Sequence, residues 1–139
     1  MTSEFMRDLL SKDEKITVEY KTCQFGIQED VYETVCSFSN RYGGYIIMGT
    51  EDDGTPIGVK QNMVKDMKRN FVNQLNNPDK MSPTLYLSIE DFEYEGKILL
   101  WVYVPPTATV EKCGNRIYDR NEDGDMDITD SPIQLQNMY

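Results

Sequence analysis

Apolar and polar positions alternate along this chain with two periods, and the switches between them mark out helices and strands. Met63, Val64, Met67, Phe71 and Leu75 recur at helical spacing while Lys65, Lys68 and Arg69 fall mainly on the opposite side, which predicts an amphipathic helix over 61–77. Val31, Val35 and Phe38, reinforced by Tyr32 and Cys36, predict a second helix over 27–40. It must stop at Gly43-Gly44, where a residue without Cβ takes positive φ at little steric cost. Ser3 is placed to cap a short first helix reaching about Leu10. Period-two alternation takes over elsewhere. Ile16, Val18 and Tyr20 alternate with Thr17, Glu19 and Lys21, and Leu85, Leu87 and Ile89 alternate likewise, each predicting a strand. The apolar runs 45–50 and 98–104, the latter holding the only tryptophan, Trp101, read as buried strands, with a short extended piece near Ile57. Asp53-Gly54 before Pro56 and the 94–97 segment are turns, and Gly114-Asn115 between 110–113 and 116–118 signals a hairpin. The pattern predicts a mixed α/β domain of the α+β type, with a central sheet covered by two to three helices.

Composition narrows the function more than the fold. A chain of 139 residues, 39% of them apolar and without repeats or linkers, fits one domain over 1–139. No run approaches the roughly 18 apolar residues of a membrane span, and residues 1–12 lack a secretion leader's basic-then-apolar layout, so a cytoplasmic protein without a membrane partner is expected. Cys23, Cys36 and Cys113 are odd in number and never form Cys-x-x-Cys pairs, which predicts reduced thiols. There is no histidine, which removes the commonest general base and every Ser-His or Cys-His pair. Chemistry here would need carboxylates, Lys, Tyr or a hard metal ion. The net charge of −10 opposes phosphate binding, but residues 119–130 hold six acids against one base and so carry half of it. A local basic face on the remainder is compatible with that count.

The stretch 36–58 is more specific than its physics. Cys36-Ser37-Phe38-Ser39-Asn40, Gly43-Gly44, Gly49, Asp52, Gly54 and Gly58 together resemble the core motif of the Schlafen-type AlbA-like domain, described as DNA-binding. Upstream, Glu14 and Glu19-Tyr20-Lys21 are similar to that family's Glu-x-x-x-x-Glu-Phe-Lys element, with Tyr for Phe, and Arg116-Ile117-Tyr118-Asp119-Arg120 is similar to its late Tyr-x-Arg strand. The motif core therefore runs over 14–120. In animal Schlafen proteins the residues matching Glu14, Glu19 and Asp52 are associated with metal-dependent RNA cleavage, so the resemblance implies a three-carboxylate site for Mg²⁺ or Mn²⁺. Relatives of prokaryotic type are called DNA-binding, which implies a module without catalysis. In many relatives the domain precedes another, and the amphipathic look of 137–139 is read as the edge of a longer protein.

Two further sets of residues carry chemistry. Asp119, Asn121, Asp123, Gly124, Asp127 and Asp130 stand at positions 1, 3, 5, 6, 9 and 12 of a calcium loop, with Asp125 supplying the backbone carbonyl of position 7. The competing reading of 119–130 is an acidic turn whose Asp and Asn side chains bond their own backbone. Lys21, Arg41, Lys60, Lys65, Lys68, Arg69, Arg116 and Arg120 are candidate phosphate contacts, since such contacts need only cations on one face. The leading expectation is a DNA- or RNA-binding domain of a transcriptional regulator. The alternatives are a metal-dependent ribonuclease using Glu14, Glu19 and Asp52, and a protein-interaction module, with a second copy of the chain as candidate partner.

Overall fold

A computed structural model describes residues 1–12 and 17–138. The chain forms helix α1 (Ser3–Leu10), strand β1 (Val18–Lys21), α2 (Asp30–Asn40), β2 (Gly44–Met48), a 3₁₀ turn (Gln61–Met63) running into α3 (Val64–Leu75), β3 (Met81–Ser82), β4 (Ile89–Tyr94), β5 (Lys97–Val104), β6 (Lys112–Cys113), β7 (Tyr118–Asn121), β8 (Gly124–Asp127) and α4 (Pro132–Met138). The central sheet has the order β1-β2-β5-β4. β1 and β2 are parallel, joined through α2, and the remaining pairs are antiparallel, so the sheet is mixed as expected.

Alternation along the strands sends one row of side chains to each face. Ile46, Met48, Leu100, Val102 and Val104 meet Val31, Val35 and Phe38 of α2 and Met67, Phe71 and Leu75 of α3 in the larger core. Val18, Tyr20, Ile47 and Leu99 meet Met6 and Leu9 of α1 in a smaller one. The Tyr20 hydroxyl donates to the Leu9 carbonyl at 2.5 Å and ties α1 to the sheet. The Gly43-Gly44 turn is dictated by space. Gly43 has φ +73, a Cβ there would lie 2.5 Å from the Val104 carbonyl oxygen, and one on Gly44 would lie 2.6 Å from that of Thr17.

Local differences from the pattern have physical causes. Thr2, rather than Ser3, caps α1, its Oγ1 accepting from the Phe5 amide at 3.0 Å. Leu85 and Leu87 pack on the larger core without ladder bonds, and the strand begins only at Ile89. Lys112–Cys113 pairs with Met81–Ser82, leaving a single bridge between Cys113 and Arg116 where a hairpin is expected. The developed hairpin lies in the acidic segment instead, β7 against β8. All three cysteines are free thiols, with Cys23 and Cys36 buried.

Asn40, at the end of α2, clamps the approach to β6. Its side chain accepts from the Glu111 amide at 2.6 Å and donates to the Glu111 and Tyr118 carbonyls, each at 2.9 Å. This anchorage draws the Glu111 side chain inside, where it is 0% exposed and neither carboxyl oxygen has a hydrogen-bond partner among the described residues. Burial pushes its carboxyl up from the ordinary 4.5 to about 7. Because the folded pKa lies above the unfolded one, the neutral form favours folding. The stabilisation is full below about pH 4.5 and is lost as pH rises through 7, a difference on the order of 3 kcal/mol. Glu111→Gln is therefore expected to melt higher than the parent at pH 8 and to converge with it near pH 4.5; thermal unfolding curves that stay parallel across this range would contradict it.

Candidate nucleic-acid interface

Arg120 is the most deeply buried cation of the described chain, 3% exposed, and every element around it supplies a partner. Its guanidinium donates through Nη1 to Asp125 Oδ1 at 2.9 Å, and through Nη2 to Glu19 Oε2 at 3.1 Å and the Val18 carbonyl at 3.3 Å. It also lies over the Phe38 ring, 4.8 Å from the centroid. The second tier is built on α2. Thr34 and Ser37 sit three residues apart, hence on one helix face, and their hydroxyls donate to Asp125 Oδ2 at 2.6 Å and Oδ1 at 2.5 Å. Lys21 stands beside Glu19 Oε1 at 3.3 Å and Asp30 Oδ2 at 2.9 Å. Burial lowers the Lys21 pKa, but Asp30 and Glu19 outweigh it and hold the ammonium above its ordinary value. Together with the β7–β8 turn these residues line a polar recess of about 280 Å³.

The calcium-loop spacing of 119–130 resolves differently. An antiparallel hairpin with Asn121 opposite Gly124 spreads these side chains over two strands and the segment after them, and arginines claim four of the carboxylates. Asp119 is held bidentately by Arg41, Asp125 by Arg120, Thr34 and Ser37, and Asp127 and Asp130 by Arg116 at 2.8 and 3.3 Å. Asn121 Oδ1 accepts from the Asp123 amide at 2.9 Å, an Asx turn. Hairpin pairing and the loop wrapped around Ca²⁺ are incompatible uses of one backbone, and the hairpin is what forms. Asp119, Asn121, Asp123, Asp125, Asp127 and Asp130 thus do not gather round one ion.

Of the three carboxylates that the resemblance joins, the described residues include Glu19 and Asp52. Glu14 lies outside the described residues. Glu19 faces α2 and Arg120, whereas Asp52 is exposed on a turn whose Gly54 backs onto Leu10 and Tyr20, on the α1 side of the sheet. Among the described residues no group of three or more Cys, Asp or Glu side chains is placed to hold a metal ion.

Six of the eight candidate phosphate contacts already have a carboxylate. Lys21, Arg41, Arg116 and Arg120 are paired as above, Lys68 meets Asp91, and Arg69 meets Asp66 at 2.7 Å. Lys60 and Lys65 have no ion-pair partner among the described residues, and they bracket the entry to α3. Lys60 Nζ sits 5.7 Å from the centroid of Phe25, which is 66% exposed, and its amide bonds to the Gln24 carbonyl at 2.8 Å. Lys65 borders a shallow groove of about 400 Å³ with Gln61, Val64 and Ile98. Sequence reasoning gave no role to Thr34, Ser37, Asn40 and Phe25; Ser37 and Asn40 stand in the motif of 36–58 only as part of its wording, and Thr34 is signalled by a hydroxyl three residues before that of Ser37.

Thr34→Val removes one donor from the half-buried Asp125 carboxylate and is expected to lower stability by about 1.5–3 kcal/mol. Arg116→Ala, which breaks exposed pairs, is expected to change it by less than about 1 kcal/mol. Equal losses in chemical denaturation would show that the buried network is energetically no different from the surface pairs.

Comparison with known proteins agrees with this architecture. The solution structure of the N-terminal domain of a Nitrosomonas europaea protein, described as ATP-dependent DNA helicase RecG-related, is 26% identical with a TM-score of 0.60, over 75% of this chain and 72% of that one. The crystal structure of the DIP2311 protein of Corynebacterium diphtheriae is 17% identical with a TM-score of 0.63, over 87% of this chain but 25% of that one, and shares the fold. No curated protein matches. The family model "Schlafen, AlbA_2" matches residues 14–129, most of the chain and all of the network around Arg120, and the chain belongs to that family.

Proposed function

We propose that this chain is a nucleic-acid-binding module without catalytic activity of its own, serving as the DNA-binding part of a transcriptional regulator. The observation that carries the reading is the pair Lys60 and Lys65, which have no ion-pair partner among the described residues and flank the start of α3, with Lys60 lying over exposed Phe25. Family membership and the likeness to the domain of the RecG-related protein support a nucleic-acid association. The geometry around Glu19 favours a structural role over a nucleolytic one, because both carboxylate oxygens face cations that belong to the fold.

Few free cations mean few counterions released, so binding is weak, micromolar or poorer, and falls as salt is raised. Lys60→Glu combined with Lys65→Glu is expected to weaken binding to labelled DNA or RNA at least about ten-fold at low salt, whereas Arg69→Glu, at an already paired site, changes it by less than about two-fold. Fluorescence polarisation measures both. A double variant that binds as well as the parent would remove this surface from the footprint, and a parent that binds neither DNA nor RNA at low salt would overturn the reading.

A further inference from the structure

The second core is capped by a single short helix, and it leaves aromatic surface uncovered. Tyr45 of β2 and Trp101 and Tyr103 of β5 share the α1 face of the sheet, as the Tyr45–Tyr103 and Ile47–Trp101 pairing requires. Phe5 of α1 meets Tyr45 edge-on at 5.5 Å, Tyr103 lies tilted against it at 5.0 Å, and Trp101 is 6.2 Å away. Beyond these contacts the rings open onto a pocket of about 270 Å³ between α1 and the Gly43-Gly44 turn. Phe5, Tyr42 and Tyr103, which line it, are 43%, 60% and 44% exposed. Three of the large apolar side chains that the described chain leaves in water therefore converge on one recess.

We infer that this pocket receives an unpaired base, and that the chain prefers single-stranded nucleic acid to duplex. The inference rests on the nucleic-acid reading above and names its substrate class. Three observations favour a base as occupant. The recess is walled by rings and is large enough for one base with its sugar, and a flat π-face recovers more contact from such walls than an aliphatic side chain does. Its rim is polar: Tyr hydroxyls, Thr17, and Lys12 facing Asp8 at 3.8 Å supply both donors and acceptors for the edge of a base, and the charges of the described lining residues balance. Finally, the acids have claimed most of the candidate phosphate contacts, so the energy of binding has to come from stacking, and stacking requires bases that are not already paired.

The test compares a labelled oligothymidylate, the matching oligouridylate and a blunt duplex of equal length, with the full chain and three variants. Tyr42→Ala and Tyr103→Ala are each expected to weaken single-strand binding about ten-fold, within the range measured for removal of one stacking ring, while Tyr103→Phe retains it. Single strands are expected to bind at least about ten-fold more tightly than duplex and to quench Trp101, whose emission reports on the adjoining Tyr45. The ratio of the two single-strand affinities tells DNA from RNA. Melting curves confirm that the exposed-ring variants remain folded. If the parent binds nucleic acid but prefers duplex, or binds single strands equally well with Ala at either position, the base pocket is wrong while the nucleic-acid reading stands. If the parent binds none of the three probes, both fail.

Discussion

A guanidinium that cannot reach water has to be satisfied where it lies, and the arrangement of this domain around Arg120 follows from that requirement. An unpaired buried charge costs several kcal/mol, so the fold supplies two carboxylates, a backbone carbonyl and an aromatic face. These come from β8, from β1 and from α2, three pieces distant in sequence. Asp125, drawn partly out of water to meet the arginine, needs donors of its own, and Thr34 and Ser37 of α2 provide them. The network thus fastens the β7–β8 hairpin to the helix and the sheet edge at once, where little apolar surface would otherwise hold so polar a hairpin.

The same requirement redistributes the charge of the molecule. Residues 119–130 read as an electrostatic liability when counted along the chain, yet in the fold Asp119, Asp125, Asp127 and Asp130 neutralise Arg41, Arg120 and Arg116. Acids and bases cancel locally along this segment, while exposed Lys60 and Lys65 at the start of α3 and the aromatic recess beside α1 stay open to a ligand. On the proposed reading this domain meets a nucleic acid through a few cations and rings. This reconciles a net charge of −10 with the family's association without invoking an extended basic face.

The sequence made the apolar architecture legible. Helices α2 and α3, strands β2 and β5 and the glycine turn all leave a periodic stripe or a steric demand, and the structure has them within a few residues of expectation. Leu85 and Leu87 show the limit of that signal, because alternation located their burial but could not tell a ladder-bonded strand from an irregular segment lying on the core. The hairpin and the site were harder. β7 and β8 are held through ion pairs instead of hydrophobic residues, so no period-two stripe marks them, and Asp-rich spacing pointed to calcium because the one-dimensional pattern cannot show that Arg41, Arg116 and Arg120 will claim the carboxylates. The resemblance of 116–120 to a Tyr-x-Arg strand did locate Arg120, as a phosphate contact. Its burial came from partners at positions 19, 38 and 125, which only the folded chain brings together.

The claim that this buried guanidinium holds the hairpin to the body of the domain is tested most directly by a double-mutant cycle on Arg120 and Asp125. Arg120→Met, Asp125→Ala and the double variant are unfolded by denaturant, and the coupling energy is taken from the three losses. The account predicts a coupling of about 2 kcal/mol or more, with the double variant less destabilised than the sum of the singles, because each single change leaves the remaining member of the pair short of its charged partner in a poorly solvated site and the double change removes both. Additive losses, with coupling below about 0.5 kcal/mol, would mean that the two residues are held by the rest of the fold and contradict the account.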